Sequence, residues 1–446
     1  MIIEPQKFLT RPQRMGYGMA ELGITGSEVL VRIGLLIFYT NAVGLRPDLA
    51  GYAIALSVFW DAMTDPIMGK ISDHLPFKGQ RRRPYIALGS FMLSISLLAL
   101  FNPPKLEGQA GKFFYLLISY MFFNTSMTVI AVPHSAFAGD LTHNEEERTE
   151  LYGWRLFFAN AGLILGSVIP GIAIAVFALE SSKADQFACF VIVGFIIISS
   201  RVTLIVTKGR DKPPAREKSP HLLEGIFHTV TQRNFQKLIL AYFIANIGLS
   251  LNSALALYYY NYSLKLPETQ TRLIIAVFIL VFTICIPLWI VQSKKTPKPA
   301  LIFWNILSLG LMTCVGYPLF PAENPSWPLI VAILGGFFIA VVVLLDVAVA
   351  DEVDRDVGGE RDAFGAYFGL WKMAGKVARA CALAASGQLL HWIQFVPNAT
   401  QTEHTSKMLR YLFGPGVGVF LILAAFLMLT YKDKAFHSEP QNHSLL

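Results

Sequence analysis

Residues 59–69 read Phe-Trp-Asp-Ala-Met-Thr-Asp-Pro-Ile-Met-Gly and lie near the middle of a long apolar segment. The two carboxylates in this stretch, Asp61 and Asp65, are four residues apart, so a helix places them on one face, one turn apart. An apolar segment of this length is typical of a membrane span. A charge at the centre of a bilayer costs at least about 2.5–3.5 kcal/mol on insertion scales, so such residues normally face a cavity and serve transport.

Several oxygen atoms meet on this turn, because Thr64 lies between the two acids. Oxygen ligands suit a small cation, and two close carboxylates can instead share a proton. Thr128, on a later apolar segment, adds a further hydroxyl unless it bonds its own helix backbone. The sequence therefore predicts a site for Na⁺ or H⁺ formed by Asp61, Asp65, Thr64 and Thr128, with Asp61 and Asp65 as the metal ligands if the ion is Na⁺. The alternative is an acid pair that a basic neighbour neutralises for packing alone.

Composition places the rest of the chain in the membrane as well. Of its 446 residues, 54% are hydrophobic and only 15% are charged, and the mean hydropathy is +0.50. Apolar runs of about 20 residues, the length that crosses a hydrocarbon core, recur along the whole chain. The net charge of +7 is explained by Lys and Arg in cytoplasmic loops rather than by nucleic-acid binding. We predict an all-α, multi-pass protein of the plasma or bacterial inner membrane, monomeric and without a nucleic-acid partner.

Twelve apolar segments follow one another along the chain. They lie at residues 16–43, 48–72, 84–103, 112–139, 150–178, 186–207, 238–262, 272–292, 300–320, 327–350, 362–393 and 411–431. Lys and Arg concentrate in alternate loops, which predicts that both termini are cytoplasmic. The most polar connection, residues 208–237, falls at the midpoint and predicts a linker between two six-helix bundles, residues 1–207 and 238–446.

A short internal repeat supports the division into halves. Ile37-Phe38-Tyr39-Thr40-Asn41 resembles Leu257-Tyr258-Tyr259-Tyr260-Asn261, about 220 residues later. The next segment of each half carries a proline at nearly the same offset, Pro66 and Pro287. Only the first half carries the acid pair. The repeat thus predicts a pseudo-symmetric scaffold with one coupling site.

Other ionisable residues in the apolar segments are candidates for the substrate site. In the first segment Glu28 and Arg32 are four residues apart and are expected to pair, whereas Glu21 lacks a local partner. Arg155, just inside the fifth segment, either binds a polar or anionic substrate or pairs with one of the acids. Both readings stay open at this point.

Two lysines lie one turn apart on the eleventh segment, Lys372 and Lys376. At least one of them is expected to point toward the opposite half. An ammonium group near Asp61 and Asp65 would relieve the repulsion between the carboxylates when no cation is bound. Asp346 on the tenth segment is an alternative partner for these lysines.

The loop after the second segment predicts a gate. Asp73 follows Gly69-Lys70-Ile71-Ser72, and the loop continues to Gly79-Gln80-Arg81-Arg82-Arg83-Pro84. Asp73 is within reach of a neighbouring helix end or of Arg81, Arg82 or Arg83, which would form a cytoplasmic latch that breaks as the halves rock. The alternative is an ordinary positive-inside loop.

Several motifs together resemble one transporter family. They are Tyr39-Thr40-Asn41-Ala42-Val43-Gly44-Leu45, Trp60-Asp61-Ala62-Met63-Thr64-Asp65-Pro66, Gly79 through Pro84, Arg155-Leu156-Phe157-Phe158-Ala159 and Ala350-Asp351-Glu352-Val353-Asp354. Over nearly its whole length the chain resembles the major facilitator superfamily, and within it the glycoside–pentoside–hexuronide:cation symporters typified by melibiose permease. The resemblance implies twelve transmembrane helices in two pseudo-symmetric six-helix bundles, the major facilitator fold.

The same resemblance implies roles for individual residues. Asp61 and Asp65 would be the cation carboxylates, with Thr64 and Thr128 lining that site. Lys376 falls at the family's lysine on the eleventh helix.

At the substrate site Arg155 matches an arginine associated with the sugar, but the chain departs from the family elsewhere. Thr25 and Ala131 stand where the family has two sugar-binding aspartates, and Ser135 stands where it has a tryptophan. The substrate site therefore differs while the coupling residues are kept.

We expect a secondary active transporter that couples Na⁺ or H⁺ to the uptake of a sugar or glycoside-like solute by alternating access. The alternative cargo is an amphiphile such as a lysophospholipid, held by an apolar cavity and one headgroup-binding charge. The chain carries no Gly-x-Ser-x-Gly, no metal-ligand His cluster and no phosphate-binding Gly loop, so we expect neither enzymatic activity nor a cofactor besides the coupling ion. The expected partners are the solute, the cation and the bilayer.

Overall fold

The computed structural model describes residues 9–74, 80–142, 145–211, 231–293, 295–357 and 361–431. Over these residues the chain makes twelve long helical traverses, α1 to α12, which confirms the predicted number of spans. They are α1 (Arg11–Asn41), α2 (Pro47–His74), α3 (Arg83–Phe101), α4 (Gly108–Leu141), α5 (Glu145–Phe177), α6 (Ser181–Val206), α7 (Arg233–Ser263), α8 (Glu268–Gln292), α9 (Lys298–Leu319), α10 (326–357), α11 (Arg361–Trp392) and α12 (Glu403–Met428).

Ten of these helices in the described part of the chain are long and apolar enough to cross a membrane. The remaining two are α2 and α11, whose apolar character is lowered by ionisable residues near their middle. Many large apolar side chains point outward, including Phe91, Ile118 and Leu319. Outward apolar surface of this kind suits contact with lipid chains rather than with water.

Some helices begin earlier than the sequence predicts, because their first turns are polar. The twelfth helix begins at Glu403 rather than at residue 411, and its first segment, Glu403–Phe413, is amphipathic. It is interrupted at Gly414 and continues from Pro415. Likewise α7 begins at Arg233 rather than at residue 238. A prediction based on runs of apolar residues detects only the part of such helices that faces lipid.

The helices form two bundles with matching internal contacts. In the first bundle α1 packs on α5 and α6, and in the second α7 packs on α11 and α12. The hydroxyl of Tyr39 on α1 donates to the carbonyl oxygen of Leu100 on α3 at 3.0 Å, and Tyr259 on α7 donates to that of Tyr317 on α9 at 2.6 Å. Tyr39 and Tyr259 occupy equivalent positions of the sequence repeat, so this pair of bonds confirms the pseudo-symmetry. The linker of residues 208–237 stays a prediction, because residues 212–230 lie outside the described part of the chain.

The structure has two faces, a linker face and a distal face, at opposite ends of the helices. The linker face carries the start of α1, the turn before α3 and the start of the linker at Asp211. The distal face carries the loops at residues 42–46, 264–267 and 393–402. Between the bundles, α2 packs along α11 and α5 packs along α8.

Inter-bundle hydrogen bonds cluster at the distal face. Asn41 donates its amide N–H to the Tyr262 hydroxyl at 2.7 Å, and the hydroxyls of Thr40 and Tyr258 are 2.7 Å apart. Beside them, Arg272 on α8 is buried against Asp185 on α6 with an N–O distance of 2.9 Å. These bonds close the distal face.

Close backbone packing of α2 on α11 also holds this face shut. A Cβ placed on Gly387 of α11 would lie 2.4 Å from the carbonyl oxygen of Pro47 and 2.9 Å from the Cα of Gly51, both on α2. Only a residue without a side chain fits at such a distance. Nearby, Tyr52 donates its hydroxyl proton to the side-chain oxygen of Gln388 at 2.8 Å.

We predict that Gly387→Ala forces α2 and α11 apart at the distal face, because the added methyl group overlaps the backbone of Pro47. In a cysteine-free background, cysteines replacing Tyr52 and Gln388 should then cross-link several-fold more slowly than with Gly387 intact. The matched control is Gly111→Ala, since a Cβ at Gly111 meets no atom within 4 Å. Equal cross-linking rates in the two glycine variants would contradict the close contact.

Candidate functional site

A cavity of about 540 Å³ lies between the two bundles. Its walls come from α1, α2, α4, α5, α7 and α11, and it extends from near the linker-face ends of α5 and α11 to Leu383, just below the closed distal face. Eight Asp, Glu, Lys and Arg side chains of the described residues line it. They are Glu28, Arg32, Asp61, Asp65, Arg155, Lys372, Lys376 and Arg379.

The predicted acid stretch is held by a row of bonds between α2 and α4. The hydroxyl of Ser57 donates to the carbonyl oxygen of Leu117 at 3.1 Å, and Asn124 donates to the carbonyl oxygen of Ser57 at 3.1 Å. One turn further, Trp60 donates its indole N–H to the Thr125 hydroxyl at 3.1 Å. The row fixes the rotation of α2, so that Asp61 and Asp65 face the cavity.

The two carboxylates and one lysine form the centre of the site. Lys376 of α11 bonds both acids of α2: its ammonium nitrogen is 2.7 Å from an oxygen of Asp61 and also contacts Asp65. Asp61 is buried, whereas Asp65 and Lys376 are partly exposed to the cavity. The structure thus brings together the acid pair and the lysine that the sequence analysis named.

Thr128 completes this cluster from α4. Its hydroxyl oxygen lies 2.9 Å from Asp61 Oδ1 and 2.8 Å from Asp65 Oδ1. A hydroxyl has a single proton, so it can donate to only one of these oxygens at a time. The other contact is satisfied when that carboxylate carries a proton or when a cation lies between the oxygens. Thr128 therefore bonds the acids rather than its own helix backbone.

Thr64 is not brought into this cluster. Its hydroxyl donates to the carbonyl oxygen of Asp61 at 3.1 Å, within the helix, and its side chain is absent from the cavity walls seen among the described residues. Thr64 directly precedes Asp65, and consecutive residues on a helix of 3.6 residues per turn point about 100° apart, so its side chain lies to one side of the two carboxylates.

Arg155 and Glu21 resolve the open question left by the sequence. Arg155 on α5 bonds the carboxylate of Glu21 on α1, so the arginine pairs with an acid while it also lines the cavity. His134, fully buried on α4, contacts the same carboxylate at 3.3 Å and the carbonyl oxygen of Tyr17 at 2.9 Å. Three helices of the first bundle are joined by this network.

Small side chains occupy the three positions at which the predicted substrate site departs from the resembled family, Thr25, Ala131 and Ser135. Ala131 and Ser135 of α4 line the cavity, and the Ser135 hydroxyl donates to the carbonyl oxygen of Val132 at 2.9 Å. Thr25 instead bonds Glu21 at 3.4 Å and is not among the cavity-lining residues of the described chain.

A second charged cluster lies deeper toward the distal face. Glu28 of α1 pairs with Arg32 as predicted, and it also accepts a hydrogen bond from Arg379 of α11 at 3.3 Å. The inter-bundle bond to Arg379 was not predicted. Its only sequence signal was the spacing of Lys372, Lys376 and Arg379, which places all three on one face of α11.

The predicted gate is only partly described. The side chain of Asp73 lies outside the described residues. The carboxylate of Asp211 accepts backbone N–H groups of Arg82 and Arg83 at 2.9 Å, and the Arg83 guanidinium donates to the carbonyl oxygen of Leu204 at 2.8 Å. The Arg82 guanidinium donates to the Ser72 hydroxyl at 2.7 Å. Arg81 is partly buried beside them. These bonds join α2, α3 and α6 within the first bundle, and the latch stays a prediction.

Asp346, the alternative partner for the lysines, bonds a different group. Its carboxylate accepts the indole N–H of Trp371 at 2.7 Å, and Trp371 is buried against Tyr242 with stacked rings 3.7 Å apart. Lys372 is close enough to Asp346 for an electrostatic interaction but lines the cavity with its ammonium group exposed.

The chain matches a family of known transport proteins. Residues 16–433 match the family model described as MFS/sugar transport protein. A putative glycoside/cation symporter, YagG, of Escherichia coli (strain K12) is 29% identical over 198 residues, which cover 44% of this chain and 42% of that protein. The chain therefore matches less than half the length of that relative.

Two further relatives are similar over almost the entire chain. The sodium-dependent lysophosphatidylcholine symporter 1-A of Danio rerio is 20% identical over 96% of this chain and 86% of its own. The solved structure of a bacterial homologue of the human drug peptide transporters PepT1 and PepT2 superposes with a TM-score of 0.69, at 11% identity, over 95% of this chain and 98% of its own. That likeness shows that the two chains share a fold.

We predict that Arg155→Ala destabilises the protein by about 3 kcal/mol, because it leaves the Glu21 carboxylate buried without its guanidinium partner. The free energy of unfolding in an SDS titration measures this loss. In the double variant Glu21→Gln/Arg155→Ala most of the loss should be recovered, since the buried charge is gone. A double variant no more stable than Arg155→Ala would show that Arg155 stabilises the fold in some other way.

Proposed function

This chain belongs to the MFS/sugar transport protein family, and we propose that it is a symporter that couples Na⁺ or H⁺ to the uptake of a sugar or glycoside-like solute. The observation that carries the proposal is the bond of one lysine, Lys376 on α11, to both acids of α2. A transporter of this family is not an enzyme, and its cargo moves through the cavity between the bundles.

The charge of this cluster supports cation coupling. Asp61 and Asp65 carry two negative charges and Lys376 supplies one positive charge, so the cluster without an ion is negative by one. A single Na⁺ or H⁺ brings it to neutrality. The four carboxylate oxygens and the Thr128 hydroxyl supply ligands for Na⁺, and the acids themselves can take up H⁺. In the cation-free protein Lys376 balances one of the two negative charges.

The same bonds support coupling between the ion and the motion of the bundles. Lys376 and the acids lie on opposite sides of the interface between α2 and α11, which must change when the bundles rock. A cation that takes over the acids releases Lys376 from α2. The cation thereby has different affinities for two arrangements of the bundles, which is what coupling requires.

The charges of the loops indicate which face of the protein lies in the cytoplasm. With the linker face in the cytoplasm, as the positive-inside rule predicts, the closed distal face is the outer one. The structure would then correspond to the inward-facing conformation, with the cavity approached from the cytoplasm. Opening the distal face and closing the linker face would give the outward-facing conformation that loads solute and cation.

A second candidate cargo is an amphiphile such as a lysophospholipid. The observation that favours it is the similarity, over nearly the full length, to a protein named as a sodium-dependent lysophosphatidylcholine symporter. Apolar side chains in the cavity wall, such as Val31, Leu35 and Leu249, would contact an acyl chain. The coupling cluster is the same for either cargo.

Uptake into proteoliposomes under an imposed Na⁺ or pH gradient tests the proposal, with labelled glycosides and a labelled lysophospholipid as separate cargoes. Accumulation of either cargo above its external concentration, driven by one of the two gradients, is the expected result. Equilibration without accumulation, for every cargo and both gradients, would contradict symport.

We predict that Asp61→Asn and Asp65→Asn each reduce gradient-driven accumulation at least tenfold, because each removes a carboxylate that binds the cation. Both proteins should remain folded, since an amide still accepts the Thr128 hydroxyl proton. The matched control is Glu403→Gln, which removes an exposed carboxylate at the start of α12. Accumulation at the wild-type level in both aspartate variants would refute the assignment.

We predict that Lys376→Ala abolishes net accumulation but preserves exchange of internal for external solute in the presence of saturating cation. Without the ammonium group the unloaded protein keeps an unbalanced acid pair at the interface, so only the cation-loaded form can change conformation. Exchange and net uptake are measured in the same proteoliposomes. A variant with normal net uptake and normal cation dependence would exclude this role for Lys376.

A further inference from the structure

The cavity wall carries basic side chains besides Lys376, the one that bonds Asp61 and Asp65. Arg32 and Arg379 share a single carboxylate, that of Glu28, so this cluster carries a net charge of plus one. Arg155 is paired with Glu21, and Lys372, which forms no ion pair with Asp346 among the described residues, is within electrostatic reach of that carboxylate. The coupling cluster, formed by Asp61, Asp65 and Lys376, has a net charge of minus one. Among the described residues around the cavity, the net charge of the Glu28 cluster is thus equal and opposite.

The guanidinium of Arg379 has hydrogen-bond donors to spare. Its Nε is buried and has no hydrogen-bond partner in the described chain, and one terminal nitrogen bonds Glu28. Arg32 bonds the same glutamate and is exposed where it lines the cavity. A buried donor without an acceptor is unfavourable, so this arrangement favours a ligand that brings acceptors. Two planar guanidinium groups beside one another are suited to an oxyanion.

Charge balance links this cluster to the proposed coupling ion. Without the ion, the two clusters neutralise one another across the cavity. One monovalent cation at Asp61 and Asp65 neutralises the first cluster and leaves the positive charge of the second unbalanced. Arg379 is three residues beyond Lys376 on α11, about 5 Å along the helix axis, so the two sites are close enough to interact.

We propose that Arg32 and Arg379 bind an oxyanion group of the substrate, a polar solute with one negative charge, and that cation and anion cross together without net charge movement. The inference rests on the proposed cation coupling and adds the charge class of the cargo. Glu28 is a positioning residue that holds the two guanidinium groups on the cavity wall. The cation and the anion each raise the affinity of the other, by about tenfold for an ordinary coupling free energy.

Matched probes separate charge from shape. Methyl β-D-glucuronide carries a carboxylate on a pyranose ring, and methyl β-D-glucoside is the neutral counterpart with the same ring. Isethionate and ethylene glycol form a second pair, with a sulfonate in place of the carboxylate. Binding is measured by the shift in thermal unfolding of the purified full-length protein, in Na⁺ at neutral pH, in choline at neutral pH and in choline at acidic pH.

The expected result is that at least one anionic probe stabilises the protein, that Na⁺ or acidic pH increases its affinity about tenfold, and that its neutral counterpart has no effect. Arg379→Gln and Arg32→Gln should each weaken binding of that probe at least tenfold. Arg201→Gln, which removes an exposed arginine of α6 away from the cavity wall, should leave it unchanged. Should Arg379→Gln fail to fold, Arg32→Gln alone decides this point.

Transport completes the test. Uptake of the bound anion into proteoliposomes, driven by the Na⁺ or pH gradient, should be unaffected when valinomycin and K⁺ set an inside-negative potential. Stabilisation and accumulation of a neutral glycoside, with uptake stimulated by that potential, would overturn the anion assignment and leave cation coupling intact. Anion binding that depends on Arg379 but not on Na⁺ or pH would instead overturn the coupling. If neither anionic probe stabilises the protein, the oxyanion site is wrong.

Discussion

The structure depends on one interaction, the contact of the Lys376 ammonium group with the carboxylates of Asp61 and Asp65 across the interface of α2 and α11. Charges in the middle of a membrane persist only when they are paired or face a cavity, and these three do both. Asp61 and Asp65 on α2, and Lys372, Lys376 and Arg379 on α11, contribute to making these two helices less apolar than the other ten. The free-energy cost of these charges within the membrane is reduced because they face the cavity between the bundles rather than lipid.

The packing around this contact differs between the two faces of the structure. At the distal face the bundles meet through close backbone contact at Gly387 and through side-chain bonds such as those of Asn41 and Arg272. Toward the linker face a cavity of about 540 Å³ separates them. The proposed ion-binding cluster lies in the wall of this cavity and joins α2 to α11, so a change in its charge would act on the contact between the bundles. The proposed oxyanion site at Arg379 lies on the same helix, one turn closer to the closed end.

Much of this could be predicted from the sequence, because the deciding signals are local. The length of apolar runs predicts twelve spans, and the four-residue spacing of Asp61 and Asp65 predicts their shared face. Several helix starts were predicted late, as at Glu403, because polar or amphipathic first turns are not apolar runs. The partners of Arg155 and Arg379 could not be derived, since Glu21 and Glu28 are more than a hundred residues away in sequence. Only the packing of α1 on α5 brings Glu21 to Arg155, and only the assembly of the two bundles around the cavity brings Glu28 to Arg379. Thr64 is predicted as a ligand by proximity in sequence, yet its hydroxyl bonds its own helix. The role of Thr64 and the gate at Asp73 stay predictions.

The central claim is that Na⁺ or H⁺ takes the place of Lys376 at the two acids. Infrared difference spectroscopy on the protein in lipid bilayers tests it directly, by following the carboxylate stretching bands as Na⁺ replaces choline and as the pH is lowered. A change in these bands in the wild type for one of the two ions, absent when Asp61 and Asp65 are both replaced by Asn, is the result predicted. Bands that respond to neither ion, or that respond identically in the doubly substituted protein, would contradict it.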